Sequence, residues 1–176
     1  MTVPALASPW LVRPLGAHDV PQLLHVQTVC YGDTFLESPE VFAQRLGCAH
    51  HCALGVVRPG EPALLAYLAA YWSHPGKVTP LNGFFAAPTA GPQLLYLHDV
   101  SVLPTCAGQG LARHLVQQAF AQARARGLQQ AALVSVQGSQ AYWERQGFSA
   151  CPVLDAQQLT NLQTYGEGAL YMTAAL

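Results

Sequence analysis

Apolar residues recur along this chain at two spacings, and the switch between them predicts the order of elements. From His18 to Cys30 they fall at Val20, Leu23, Leu24 and Val26, a helical interval, behind a short strand at Trp10 to Pro14. Asp19 followed by Pro21 supplies a start for that helix. Ser38, Pro39 and Glu40 have the order of an N-cap and a first turn, so a second helix should run from there to about Gly47. Cys52 to Val57 and Ala63 to Tyr71 are apolar runs joined by "RPGEP", a hairpin signal. Leu94 to Leu103 is a strongly apolar strand, and Ala131 to Val136 is a buried one. Between them a helix is expected from about Gln109 to Arg126, closed by Gly127, with Leu111, Leu115, Ala119 or Phe120, and Ala123 as its packing stripe. Ser139 can cap a short helix from Gln140 to Gln146, and strands at Phe148 to Leu154 and Ala169 to Ala174 complete the chain.

The order is strand, two helices, three strands, helix, strand, helix, two strands. That is an α/β fold in one domain over residues 1–176, a size that buries a full core. The segment from Trp72 to Gln93 breaks the rhythm with recurrent Pro and Gly and with Phe84 and Phe85. A connection this long is usually functional, so it is a candidate lid over a site, with Phe84 facing the bound substrate.

Composition narrows the function. Charged residues make up 10% of the chain and hydrophobic ones 51%, with a formal charge of −1. A surface so poor in charge has no footprint for nucleic acid or an acidic membrane and favours self-association, for instance as a homodimer. The opening "MTVPALASPWLVRPLG" lacks a basic first segment and is broken by Pro4 and Pro9, unlike a signal peptide, and no run is long enough to span a bilayer. Five cysteines, an odd number, suit reduced thiols in the cytoplasm. "CAHHC", Cys48 to Cys52, crowds its ligand types into five residues and cannot close a tetrahedron, so no metal is expected.

Chemistry concentrates in "VLPTCAGQGLARHLVQQAFAQARARG", Val102 to Gly127. A helix N-terminus carries unpaired N–H groups and partial positive charge, and Gly108 and Gly110 keep side chains out of the approach. The helix has three arginines and no acidic residue. Phosphate is the natural partner, although a tight strand-to-helix turn without a ligand would use the same glycines. No Gly-Lys-Ser/Thr follows, and no acidic residue stands about twenty positions on to hold a ribose, so neither nucleotide fingerprint applies.

"LHDVSVLPTCAGQGLARHLV" with "AYWERQGF" resembles the GNAT superfamily of acyl-CoA-dependent N-acyltransferases, and "LVRPLGAHDVPQLLHVQ" is similar to that family's opening strand and helix. The resemblance implies a mixed, mostly antiparallel sheet of six or seven strands, flanked by about four helices, with two central parallel strands that splay apart. It implies acetyl-CoA as acyl donor and an amine as acceptor, and the apolar lid expected from the Trp72 to Gln93 loop favours a small molecule over a protein tail as that acceptor. Backbone groups of Val100, Ser101 and Val102 would pair with the pantetheine arm, and the loop Ala107, Gly108, Gln109, Gly110, Leu111, Ala112 and Arg113 would hold the pyrophosphate. Ser139 and Trp143 would flank the cofactor.

Two positions depart from the family pattern: Ala107 replaces the usual Arg or Gln, and Trp143 stands where many members place the Tyr that protonates the leaving thiolate. Tyr142, beside it, is the candidate acid, with core packing as the competing role. His98 resembles a strand histidine of arylalkylamine-type members and is a candidate base or water relay, with a structural role as the alternative. Asp99 would bind the amine cation or serve structure, and by strand alternation it should point away from His98 unless a bulge intervenes. Tyr31, just past the first helix, is a candidate for shaping the acceptor site. The same residues on a domain that binds acyl-CoA without turning it over would make a regulatory or degenerate module.

Overall fold

The structure is a computed structural model that describes residues 9–153 and 155–176. The opening residues 1–8 and Leu154, the last residue of one expected strand, lie outside the described residues. Among the described residues, seven strands form one sheet: β1 (Leu11–Pro14), β2 (Leu54–Val57), β3 (Ala66–Ser73), β4 (Leu94–Val102), β5 (Gln130–Ser135), β6 (Ser149–Ala150) and β7 (Leu170–Ala175). Their order is β1-β2-β3-β4-β5-β7-β6, and every pairing is antiparallel except β4 with β5. Five helices accompany them: α1 (Val20–Tyr31), α2 (Pro39–Leu46), α3 (Leu111–Ala125), α4 (Gln140–Glu144) and α5 (Ala156–Gln163).

Both faces of the sheet are covered, which is why all eight residues of β3 are buried. On one face α3 lays Leu111, Leu115, Val116, Ala119 and Ala123 over Leu68, Ala70, Leu95 and Leu97, with Trp143 of α4 joining the same cluster. On the other, α1 and α2 pack on Val57, Tyr67 and Ala69. The neighbouring half of that second face is closed by Val78 and Phe85 from the long connection and by Tyr165 just past α5.

Local chemistry explains the helix ends. The Ser38 hydroxyl caps α2 by accepting from the Val41 N–H, with Pro39 in the first turn. Asp19 does not cap α1 with its side chain; it turns back to the Arg13 guanidinium at 2.7 Å and the Gly16 N–H at 2.9 Å. Ser139 stands at the start of α4, but its hydroxyl pairs with that of Ser135, 3.0 Å away, instead of capping the helix. The strand expected over Phe148 to Leu154 shrinks to Ser149–Ala150, and α5 was not anticipated.

Candidate functional site

One irregularity in β4 organises the site. Leu97 stands opposite Ala70 and Asp99 opposite Ala69, so His98 is an extra residue with no partner on β3. Such a bulge resets the alternation of side chains. The expectation that Asp99 points away from His98 is therefore corrected. Asp99 and Ser101 pair with Ala69 and Tyr67 and share their face, the face on which His98 packs against Tyr71 and Tyr96. Val100 and Val102 fall on the α3 side.

Beyond the bulge β4 also parts from its parallel neighbour. The two strands pair only over Leu95–Leu97 and Ala131–Leu133, after which β5 continues with β7 alone. The gap is a groove of about 350 Å³ lined by Val100, Ala112, Val136, Ser139, Tyr142 and Trp143, with Tyr31, His98 and Asp99 at its inner end. At its outer end Gly108 and Gly110 take φ of 75° and 79°, left-handed values that favour glycine, and a Cβ on either would meet nothing within 4 Å. Gly110 stands at the N-cap of α3 without any side-chain cap, so the first-turn N–H groups face outward. This is a cleft bordered by a strand edge that β5 leaves unpaired and ending in an uncapped 15-residue helix, and a pantetheine arm with its pyrophosphate fits that donor set.

Behind the inner end lies a second, smaller pocket of about 40 Å³, lined by Phe35, Glu37, Leu81, Val134, Val136 and Tyr165 together with Tyr31, His98 and Asp99. Asp99 forms the wall between the two. Its Oδ1 accepts from the Tyr31 hydroxyl at 2.6 Å and the Ser101 hydroxyl at 3.2 Å, and its Oδ2 accepts from the Tyr67 hydroxyl. Burial pushes its carboxyl above the ordinary range, against the pull of the two tyrosine hydroxyls. The same burial and the Asp99 charge push the Tyr31 hydroxyl far up, so it stays a donor.

The partner of this wall is a buried charge cluster. Arg45 donates through Nη1 to Glu37 at 2.6 Å, and through Nε and Nη2 to the carbonyls of Gly83 and Pro80. His98 Nε2 lies 3.0 Å from Glu37 and 2.7 Å from Arg45: a protonated nitrogen donates to the carboxylate, an unprotonated one accepts from the guanidinium. Burial drives the Glu37 carboxyl upward, but His98 and Arg45 outweigh it and hold it at about 2. Glu37 also fixes the connection by accepting from the Asn82 N–H at 2.9 Å.

His98 is thereby placed differently from a solvent-facing base. Its side chain is 2% exposed, both ring nitrogens face protein groups, and the Tyr165 hydroxyl stands 3.4 Å from Nδ1, so what it offers the groove is main chain. Phe84 lines neither pocket; it is 62% exposed, while Phe85 turns in to stack on Tyr71 at 4.5 Å. The stretch expected as a lid is stitched down. Val78 and Leu81 donate backbone N–H groups to Gln158 and Thr164, and the Thr79 carbonyl accepts from Tyr165. Trp143 is buried against Phe148 and Tyr142, and Tyr142 is half-buried at the groove. Burial raises the Tyr142 hydroxyl against the pull of Arg113 and Arg145.

Glu37, Arg45, Tyr67 and Tyr165 escaped the sequence reading. One signal was there for Arg45, a cation on the stripe of Val41, Phe42 and Leu46, where an amphipathic helix should be apolar. Among the described residues no helix is long and apolar enough to cross a membrane.

Known proteins share this fold. The chain is similar in fold to the ribosomal-protein-S18-alanine N-acetyltransferase of Escherichia coli, with a TM-score of 0.68 at 17% identity over 94% of this chain and 93% of that one. It is similar to the PaiA N-acetyltransferase of Thermoplasma acidophilum in complex with coenzyme A (TM-score 0.66, 12% identity, 96% and 100% covered). It is also similar to the GphF GNAT-like decarboxylase in complex with isobutyryl-CoA (TM-score 0.71, 14% identity, 94% and 98% covered). No curated protein sequence matches the chain. The model of the acetyltransferase (GNAT) family matches residues 20–148, from α1 through the bulged β4 and the glycine loop to Phe148, and the chain therefore belongs to the GNAT acetyltransferase family.

Proposed function

We propose that this protein moves an acetyl group from acetyl-CoA to the primary amine of a small molecule, by direct attack, in the cytoplasm, where its five thiols stay reduced. The observation that carries the reading is Asp99, a carboxylate on the wall shared by the donor groove and the smaller pocket. The N–H groups from Gly108 to Arg113 bind the pyrophosphate, and the unpaired β4 edge over Val100 to Val102 holds the pantetheine arm, a backbone N–H there meeting the oxyanion. Ser139 and Trp143 flank the arm.

An alkylamine with a pKa of about 10.4 is only about one part in a thousand neutral at pH 7, a deficit of roughly 4 to 5 kcal/mol. Asp99 anchors the ammonium and takes its proton as the amine attacks, helped by the raised affinity of the buried carboxyl for a proton. Tyr142 returns a proton to the leaving thiolate, in place of the hydroxyl that Trp143 lacks. The fold alone also serves a decarboxylase in one of the similar structures. Here a negative wall at the acyl end disfavours a carboxylated acyl group and favours an amine.

The purified protein, acetyl-CoA and a panel of amines test this by release of free thiol. Release with at least one small amine is expected, and Asp99→Asn should lower kcat/KM by about 100-fold or more while CoA binding persists. CoA binding with no release for any amine would replace the enzyme by an acyl-CoA-binding module.

A further inference from the structure

We infer that the acceptor pocket selects short primary amines that carry no carboxylate. This rests on the proposed transfer to an amine and adds the chemical class of the acceptor.

The first support is charge. Two carboxylates, Glu37 and Asp99, face the pocket, and among the described residues no lysine or arginine lines it. Glu37 is already matched by Arg45 and His98. Arg45 sits behind it with 1% of its side chain exposed, and its nitrogens are engaged by Glu37, His98, Pro80 and Gly83. Asp99 is thus, among the described residues, the carboxylate of this pocket with no lysine or arginine partner, held by hydroxyl donors alone. An ionised carboxylate has about four acceptor positions, and Tyr31, Ser101 and Tyr67 fill three, leaving room for one ammonium hydrogen bond. A zwitterion such as an amino acid would satisfy Asp99 with its ammonium but bring a third carboxylate beside Glu37 and Asp99, where His98, the basic side chain in the lining, is already held by Glu37 and Arg45. That is an uncompensated repulsion in a desolvated site.

The second support is size. The pocket's volume is about 40 Å³, and a water-sized group needs roughly 10–15 Å³ by that measure, so it admits about three such groups. The apolar part of its lining, Phe35, Leu81, Val134 and Val136, suits an alkyl arm. The wall is braced on both sides. Leu81 donates its N–H to Thr164, and Asn82 donates to Glu37 while accepting from the Ser38 N–H.

Matched pairs that differ only by the carboxylate test the idea: ethylamine against alanine and isobutylamine against valine, with hexylamine as a longer arm. The measurement is kcat/KM for thiol release from acetyl-CoA. Each amine should exceed its amino acid by about 100-fold or more, and ethylamine should exceed hexylamine by about tenfold. Leu81→Ala should shift the hexylamine-to-ethylamine ratio upward about fivefold or more, since it lengthens the pocket without touching a charge. Amino acids used within about threefold of their amines would overturn the charge argument. Hexylamine used as well as ethylamine by the unaltered protein, or a ratio that Leu81→Ala leaves unmoved, would overturn the size argument. No turnover with any amine, short or long, would instead overturn the transfer reaction on which the inference rests.

Discussion

The two sides of β4 solve the binding problem with different materials. Toward β5 and α3 the site is built of main chain: an unpaired strand edge, two glycines with positive φ and the uncapped end of a helix, all within one stretch of chain from Val100 to Ala112. Toward α2 and α5 it is built of side chains, Tyr31, Glu37, Arg45, Tyr67, Asp99 and Tyr165, drawn from segments far apart in sequence. Backbone donors bind whatever presents the same phosphate and amide groups, largely irrespective of neighbouring side chains. Side-chain clusters read charge and length and change with one substitution. The main-chain side carries the proposed donor site, and the side-chain side carries the proposed acceptor site.

The largest expected effect breaks the side-chain half. Arg45→Met leaves the Glu37 carboxylate buried without its guanidinium and frees the carbonyls of Pro80 and Gly83. Removing one partner of a buried pair costs about 3–5 kcal/mol, which for a chain of this size is a fall in Tm of about 10 °C. A thermal melt reads it, and adding Glu37→Gln should recover part of the loss by removing the orphaned charge. If Arg45→Met melted within about 2 °C of the parent, the cluster would not hold the acceptor wall together.

How far each half could be read in advance follows from the same contrast. Gly108, Gly110 and the α3 stripe are contiguous, so the loop, the helix and the parting of β4 from β5 followed from local pattern and from the resemblance it carried. The His98 bulge has no local mark. It appears only in the register of β4 against β3, and it reverses the expected direction of Asp99. The helix α5 was missed because it has no buried stripe; Leu159 is 41% exposed. Polar side chains hold it instead: Asp155 caps it through the Gln158 N–H, and Gln158 and Asn161 bind both backbone groups of Val78. Periodicity does not record that kind of attachment.

A smaller effect sharpens the comparison inside the acceptor wall, where two carboxylates are shifted in opposite directions. Glu37 is held at about 2, below its unfolded value near 4.3. Its contribution to stability is therefore complete above that unfolded value and is lost as pH falls through 4 towards 2. Denaturant unfolding across pH 5 to 2 should show that loss, and Glu37→Gln should flatten it. Asp99 is shifted upward, and the proposed transfer needs its carboxylate, so kcat/KM should fall on the acid side at a pH above the ordinary aspartate value of about 3.9. Asp99→Asn should abolish that limb. Both limbs at the same pH would mean that the two groups share one environment, contrary to the division between Glu37, paired with Arg45, and Asp99, held by hydroxyl donors.

The smallest effect tests the main-chain half, and it is a gain. Ala107 is exposed, one residue ahead of Gly108, where relatives by the resemblance carry Arg or Gln. If the pyrophosphate is held here by backbone N–H groups alone, Ala107→Arg adds one charge-assisted contact at a solvent-exposed site. Such a contact is worth about 1 kcal/mol, or about a fivefold fall in the Kd for CoA by calorimetry at low salt. Screening should shrink the gain as ionic strength rises, whereas Ala107→Gln, uncharged, should give a smaller change with no salt dependence. Unaltered affinity with Arg at this position would mean that the phosphates lie elsewhere than the Gly108–Gly110 loop. A gain confined to Kd, with acceptor selectivity untouched, is what separate construction of the two sides requires.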